Sequence, residues 1–289
     1  MRIVIASGKG GTGKTLFSTN LFRTMELAGL STVLVDCDAE VPNDSIFIKG
    51  LPAQSWETQM FCPEIDTDKC TYCNKCQEYC TFHAITCVPA MQYIHLSADL
   101  CHGCEACLHA CQEGAILRGK KTVGYVTALD ENGRTRLIEA RIHEGQRSGV
   151  PVIRDAIEKA TQISADHLIL DAPPGCSCPF VNTVLDADLV ILVTEPTPFG
   201  LSDLKQTIEV LRDLRQAFCV IINRSDLGDD QMEKFLQEEH IPVIGKVPFS
   251  RELAGIYAQG KLAVEENAQI ADLFNQLMQR ILGYENSHH

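Results

Sequence analysis

The chain opens with a short apolar run, residues 2–6, that leads straight into Gly8, Lys9, Gly10, Gly11, Thr12, Gly13, Lys14 and Thr15. The spacing fits G-x-x-x-x-G-K-[ST], and the pattern after it predicts a helix from about Lys14 to Leu27 with Gly29 as its stop. A β-branched strand, a glycine-rich loop and a helix in that order confine the fold to an α/β layer structure with the loop at a strand's C-terminal end. Glycines let backbone N–H groups close around phosphate oxygens, and the helix N-terminus adds the positive end of its dipole. Lys14 is then expected to reach the β- and γ-phosphates, and the Thr15 hydroxyl to ligate Mg²⁺. The loop predicts a nucleotide site.

The alternation continues along the chain. Strands are expected at 32–36, 167–171, 188–194, 217–222 and 241–247, with helices at 151–162, 201–216 and 229–239. Residues 122–129 and 135–141 read as two strands joined by a tight turn at Glu131, Asn132 and Gly133. Apolar strands alternating with helices imply a doubly wound, mainly parallel sheet covered on both faces. Between residues 61 and 117 the pattern gives way to cysteine-rich, short-looped sequence. The expected organisation is therefore one α/β domain, 1–60 and 118–289, with a small α+β insert at 61–117. A last helix carries Ile270, Leu273, Phe274, Leu277, Met278, Ile281 and Leu282 at helical spacing, a stripe for packing on the body.

Charge narrows the partners. With 25 Lys plus Arg against 38 Asp plus Glu, the 289 residues carry a net charge of −13, which argues against nucleic acid. No apolar run approaches the roughly 20 residues of a membrane-spanning helix. The final helix lacks the basic face of a membrane-surface helix. The opening residues do not read as a secretory signal, so a cytoplasmic location is expected. His288 and His289 close the chain and carry no assigned role.

Lys9 is a second lysine at the head of the loop, which an ordinary phosphate loop does not require. This version resembles the deviant Walker A ATPases, the group of MinD, ParA, Mrp and the nitrogenase iron protein. The resemblance implies an ATP-dependent homodimer, or a heterodimer with a related ATPase, in which Lys9 crosses to the partner's nucleotide. It further implies that Asp38, at the end of the second strand, orients or deprotonates the attacking water, while Asp36 keeps an ambiguous role. The strand ending in Asp171, Ala172, Pro173, Pro174 and Gly175 resembles the family's Walker B and switch II. Asp171 would hold Mg²⁺ through water, and the Gly175 backbone would sense the γ-phosphate. Asn223 and Arg224, ending another strand, and the loop at Pro248 and Phe249 match the family's adenine contacts.

Fourteen cysteines are present, ten of them between Cys62 and Cys111. Cys70, Cys73, Cys76 and Cys80 follow C-x2-C-x2-C-x3-C, and Cys101, Cys104, Cys107 and Cys111 repeat it. The doubled run resembles the bacterial two-cluster ferredoxins, in which the fourth cysteine of each run ligates the other cluster. That implies one [4Fe-4S] cluster on Cys70, Cys73, Cys76 and Cys111, and a second on Cys101, Cys104, Cys107 and Cys80. Thr81 and Gln112 stand where the usual proline would follow the fourth cysteine. Four-thiolate zinc sites are the competing chemistry for C-x2-C pairs. Cys176 and Cys178, just after Gly175, are either a cluster-bridging pair across a dimer axis or small thiols packed under the switch.

Three functions fit these halves. The expected one is an ATPase, with ATP/ADP, Mg²⁺ and two [4Fe-4S] clusters, that gates electron transfer to a redox or iron–sulfur protein. The alternatives are an Mrp-like cluster carrier and a MinD/ParA-like spatial organiser with structural or redox-sensing clusters.

Overall fold

The computed structural model describes residues 1–285, so His288 and His289 lie outside the described residues. The strands are β1 (Arg2–Ala6), β2 (Thr32–Asp36), β3 (Leu51–Ile65), β4 (Ile85–Val88), β5 (Tyr93–Leu96), β6 (Ile116–Glu131), β7 (Arg134–Ile142), β8 (His167–Asp171), β9 (Leu189–Thr194), β10 (Phe218–Asn223) and β11 (Val243–Val247). The helices are α1 (Lys14–Leu27), α2 (Lys75–Glu78), α3 (Ala106–Ala110), α4 (Val150–Thr161), α5 (Cys178–Val184), α6 (Pro198–Asp213), α7 (Gln231–Glu238), α8 (Arg251–Ala258), α9 (Ala263–Glu266) and α10 (Ala268–Glu285).

Nine strands form one sheet in the order β11-β10-β9-β1-β8-β2-β7-β6-β3. The pairings from β11 through to β7 are parallel, and β7-β6 and β6-β3 are antiparallel. Alternation along β1 explains the two layers. Val4 and Ala6 face a core shared with Ile153 of α4, Phe180 of α5 and Ile208 of α6. Ile3 and Ile5 face the other core, with Phe17 and Phe22 of α1 and Phe274, Leu277 and Ile281 of α10. The Phe17 and Phe274 rings meet at 5.6 Å between centroids, which locks the phosphate-loop helix to the last helix. The apolar stripe of the final helix packs as its spacing predicts.

The β6–β7 turn also follows from sequence. Asn132 and Gly133 sit at φ 55° and 76°, the left-handed pair that a two-residue hairpin needs.

The cysteine-rich stretch differs from expectation. β3 and β6 pair from Leu51↔Asp130 to Ile65↔Ile116, so the main sheet runs straight through residues 60 and 118. Instead of a separate α+β insert, residues 66–115 form a small cap on the tip of this ribbon. The cap holds the two-stranded β4–β5 sheet and the short helices α2 and α3. Its main apolar cluster joins Cys76, Ile85 and Cys107 to Ile116 at the start of β6. No described helix is long and apolar enough to cross a membrane.

Candidate functional site: a nucleotide pocket and a thiol-rich cap

The phosphate loop turns between β1 and α1 on backbone that glycine permits. Gly13 has φ 103°, and a Cβ there would lie 2.7 Å from Asn223 Nδ2. The closeness has a purpose: Asn223 Nδ2 donates to the Thr12 carbonyl at 2.8 Å, tying the end of β10 to the loop. Lys14 is buried, at 8% exposure, at the start of α1. The Thr15 hydroxyl donates to Asp171 Oδ2 at 2.6 Å, and Ser18, one turn further on, donates to Asp171 Oδ1 at 3.0 Å. Asp171 is thereby aimed at the loop from the end of β8. Burial raises its pKa, against the lowering effect of Lys14, Thr15 and Ser18. The expected Mg²⁺ pair, Thr15 and Asp171, is in contact, and Ser18 is a partner that sequence reading missed.

The loop after β2 is organised by Asp36. Its fully buried carboxylate accepts from the backbone N–H groups of Asp38, Asn43 and Asp44 at 3.0, 2.8 and 3.0 Å. That resolves its ambiguity: Asp36 shapes the turn that presents Asp38. Asp38 is partly exposed, its pKa raised by burial and lowered by Lys14. A carboxylate beside Lys14 and open to solvent has the surroundings of a water-orienting group.

Other residues are committed elsewhere. Lys9 Nζ pairs with Glu195 Oε1 at 2.5 Å, and Arg224 Nη1 takes the other oxygen of the same carboxylate at 2.9 Å. Glu195, another residue unseen in the sequence, therefore holds both Lys9 and Arg224 within one chain. The Gly175 N–H donates to the Ser7 carbonyl at 3.1 Å, so sensing a phosphate requires that bond to break. Gly11, Gly13, Leu16, Asn223, Arg224, Pro248, Phe249 and Tyr257 line a pocket of about 200 Å³ beside the loop. It brings the three expected base contacts together, and Tyr257, stacked on Phe47 at 4.7 Å, completes a wall that no motif announced.

A family model described as the CobQ/CobB/MinD/ParA nucleotide binding domain matches residues 3–264. The chain belongs to that family. An uncharacterized protein of Methanocaldococcus jannaschii is 28% identical over 271 residues, covering 92% of this chain and 93% of that protein. Among solved structures, the MinC:MinD cell division complex of Aquifex aeolicus aligns with a TM-score of 0.58 at 16% identity, covering 98% of this chain and 96% of that one. MinD of Pyrococcus horikoshii complexed with Mg-ADP aligns at 0.57 and 18% identity, covering 97% and 95%. These likenesses show a MinD-like fold.

On this MinD/ParA-type body the cap arranges its thiols in two sets. One small pocket is lined by Cys70, Cys73, Cys76 and Cys111, with Cys87 beside them. The other is lined by Cys80, Cys101, Cys104 and Cys107. Cys111 thus lines the pocket of the first run and Cys80 that of the second. All fourteen cysteines are free thiols. Burial pushes Cys76 and Cys107 up to about 11, so both are protonated near neutral pH. Among the described residues no three His, Cys, Asp or Glu side chains converge on one metal ion. Each four-thiol set instead surrounds a cavity.

The C-x-C pair divides. Cys176 Sγ lies 3.2 Å from Thr207 Oγ1 of α6, partly buried. Cys178 is exposed and lines a different cleft, opposite Cys101.

Proposed function

We propose that the chain is an ATP-hydrolysing switch of the MinD/ParA kind whose cysteine cap carries two [4Fe-4S] clusters. The observation that carries the first half is the Thr15–Asp171–Ser18 contact beside Lys14, in a chain whose family is shown. In this reading Lys14 neutralises charge on the β- and γ-phosphates. Thr15 and Asp171 hold Mg²⁺, which would supply further neutralisation of the phosphates. Asp38 orients water for in-line attack on the γ-phosphate. Asn223, Arg224 and Pro248 bracket the base. Release of Lys9 from Glu195 frees it to reach a second subunit, homologous or identical, across the nucleotide.

The P. horikoshii relative's complex with Mg-ADP supports the same ligand here, and the MinC:MinD complex supports a protein partner for the switch. The test is Asp38→Ala. Turnover is expected to fall by roughly 10²–10⁴-fold while ATP still binds. Unchanged turnover would remove Asp38 from the mechanism.

For the second half, support comes from two cavities, one lined by Cys70, Cys73, Cys76 and Cys111 together with Cys87, the other by Cys80, Cys101, Cys104 and Cys107. Cys70, Cys73, Cys76 and Cys111 would hold one cluster, and Cys101, Cys104, Cys107 and Cys80 the other. Bound there, [4Fe-4S] clusters supply one-electron redox chemistry. The relatives weigh toward a MinD/ParA-like organiser in which such clusters are structural or sense redox state, ahead of electron delivery to a partner. The separated surroundings of Cys176 and Cys178 weigh against a cluster carrier built on that pair.

A further inference from the structure

A cleft of about 520 Å³ separates the cap from the nucleotide-binding body. One wall is the cap, with Cys101 and His102. The other is the loop before α4, α4 itself and the start of α5, contributing Arg147, Arg154, Cys178 and Asn182. That volume falls within the roughly 300–1,000 Å³ of small-molecule sites.

Of the chain's thirteen arginines, seven (Arg2, Arg23, Arg118, Arg136, Arg141, Arg212 and Arg224) are paired with carboxylates; Arg147 and Arg154 are not, and they are the two that line this cleft. Arg147 has neither an ion pair nor a hydrogen bond among the described residues. Arg154 donates only its Nε, to Asn182 Oδ1 at 2.6 Å, leaving its terminal nitrogens unbonded there. In a protein with 38 acidic residues against 25 basic ones, two guanidinium groups lining one cleft without acidic partners make a local positive site. Guanidinium forks match phosphate and carboxylate oxygens in geometry as well as charge. Asp99 lies on the cap side, where Lys121 Nζ donates to the neighbouring Ala98 carbonyl at 2.6 Å. The anion's seat is then the body-side wall that carries the two arginines.

We infer that this cleft binds a small organic oxyanion, held by Arg147 and Arg154 and lying between Cys178 and Cys101. The site needs no cluster to form. That the ligand would lie against the second thiolate set rests on the proposed cluster assignment.

The test uses full-length, anaerobically purified protein with Mg-ADP saturating, so that the phosphate loop is filled. Inorganic phosphate and succinate are the two probes, and the readout is the rate at which neutral iodoacetamide alkylates Cys178, followed by peptide mass spectrometry. At least one probe is expected to slow alkylation in a saturable manner, phosphate marking a phosphate ligand and succinate a carboxylate. In the Arg147→Gln/Arg154→Gln double variant the apparent affinity should fall by roughly tenfold or more, the loss expected for charge-assisted hydrogen bonds. Mg-ADP binding should be unchanged, and Arg147→Gln alone, which breaks no contact, should show part of the loss. Absence of protection by both probes, or full protection in the double variant, overturns the site. Iron is measured on the same sample. Protection in protein without iron or sulfide leaves this site standing and sinks the cluster reading, whereas iron-loaded protein without protection does the reverse.

Discussion

The nucleotide end and the cysteine cap are built by opposite means. Around the phosphate loop, geometry is set by hydrogen bonds within the chain itself: Asn223 on Thr12, Thr15 and Ser18 on Asp171, and three backbone donors on Asp36. A two-sided apolar core lies behind them. The cap's main apolar cluster is small, Cys76, Ile85 and Cys107 on Ile116 of β6, and its thiols line two small cavities. A preformed site pays its ordering entropy on folding. The proposed clusters would supply what a core of that size does not.

Deleting core volume at the nucleotide end should produce the largest effect. Phe274→Ala removes a fully buried ring that touches Phe17, and a loss of about 3–5 kcal/mol is expected. Chemical denaturation checks this, and a loss below about 1 kcal/mol would mean that α10 does not brace α1. The matching change in the cap is Cys76→Ser. It should roughly halve the iron content through loss of one cluster and leave ATP binding intact. Iron unchanged, or ATP binding lost with it, would break the separation between the ends.

The smallest effect is alkaline. Thiols ordinarily titrate near 9, but burial pushes Cys219, in the body, up to about 12, and Cys76 and Cys107, in the cap, up to about 11. Between those values the folded chain holds protons that the unfolded chain has lost. The stabilisation is therefore full below about pH 9 and disappears as pH rises through 11–12. Iron-free protein should show contributions from all three thiols. Protein with thiolate-bound clusters should lose the Cys76 and Cys107 parts and keep the Cys219 part, and identical pH profiles for the two forms would contradict cluster ligation.

Legibility in the sequence followed the range of the interactions. β1, α1, β2 and β8 were readable to the residue because strand, loop and helix signals are local and strong. The doubled cysteine run was readable because its spacing repeats. β3 escaped because it is the sheet's outer strand: Gln54, Ser55 and Glu57 lie exposed along it, and its buried Thr58, Cys62 and Pro63 show no regular period. The outer end of the β3–β6 ribbon, 61–65 and 116–117, therefore read as short loops although 122–129 was read as strand, and the cap read as an insert set apart from the sheet. Ser18, Glu195 and Tyr257 escaped for a different reason. Ser18 meets Asp171 across 153 residues, and Glu195 reaches Lys9 from the loop after β9, contacts that only the assembled sheet creates.

Iron, acid-labile sulfide and zinc, counted together per chain on anaerobically purified protein, test most directly the claim that the cap is completed by clusters. Two [4Fe-4S] clusters predict about 8 irons with matching sulfide and no zinc. Zinc without sulfide, or no metal at all, would contradict the claim and leave a MinD/ParA-family ATPase whose cap serves another purpose.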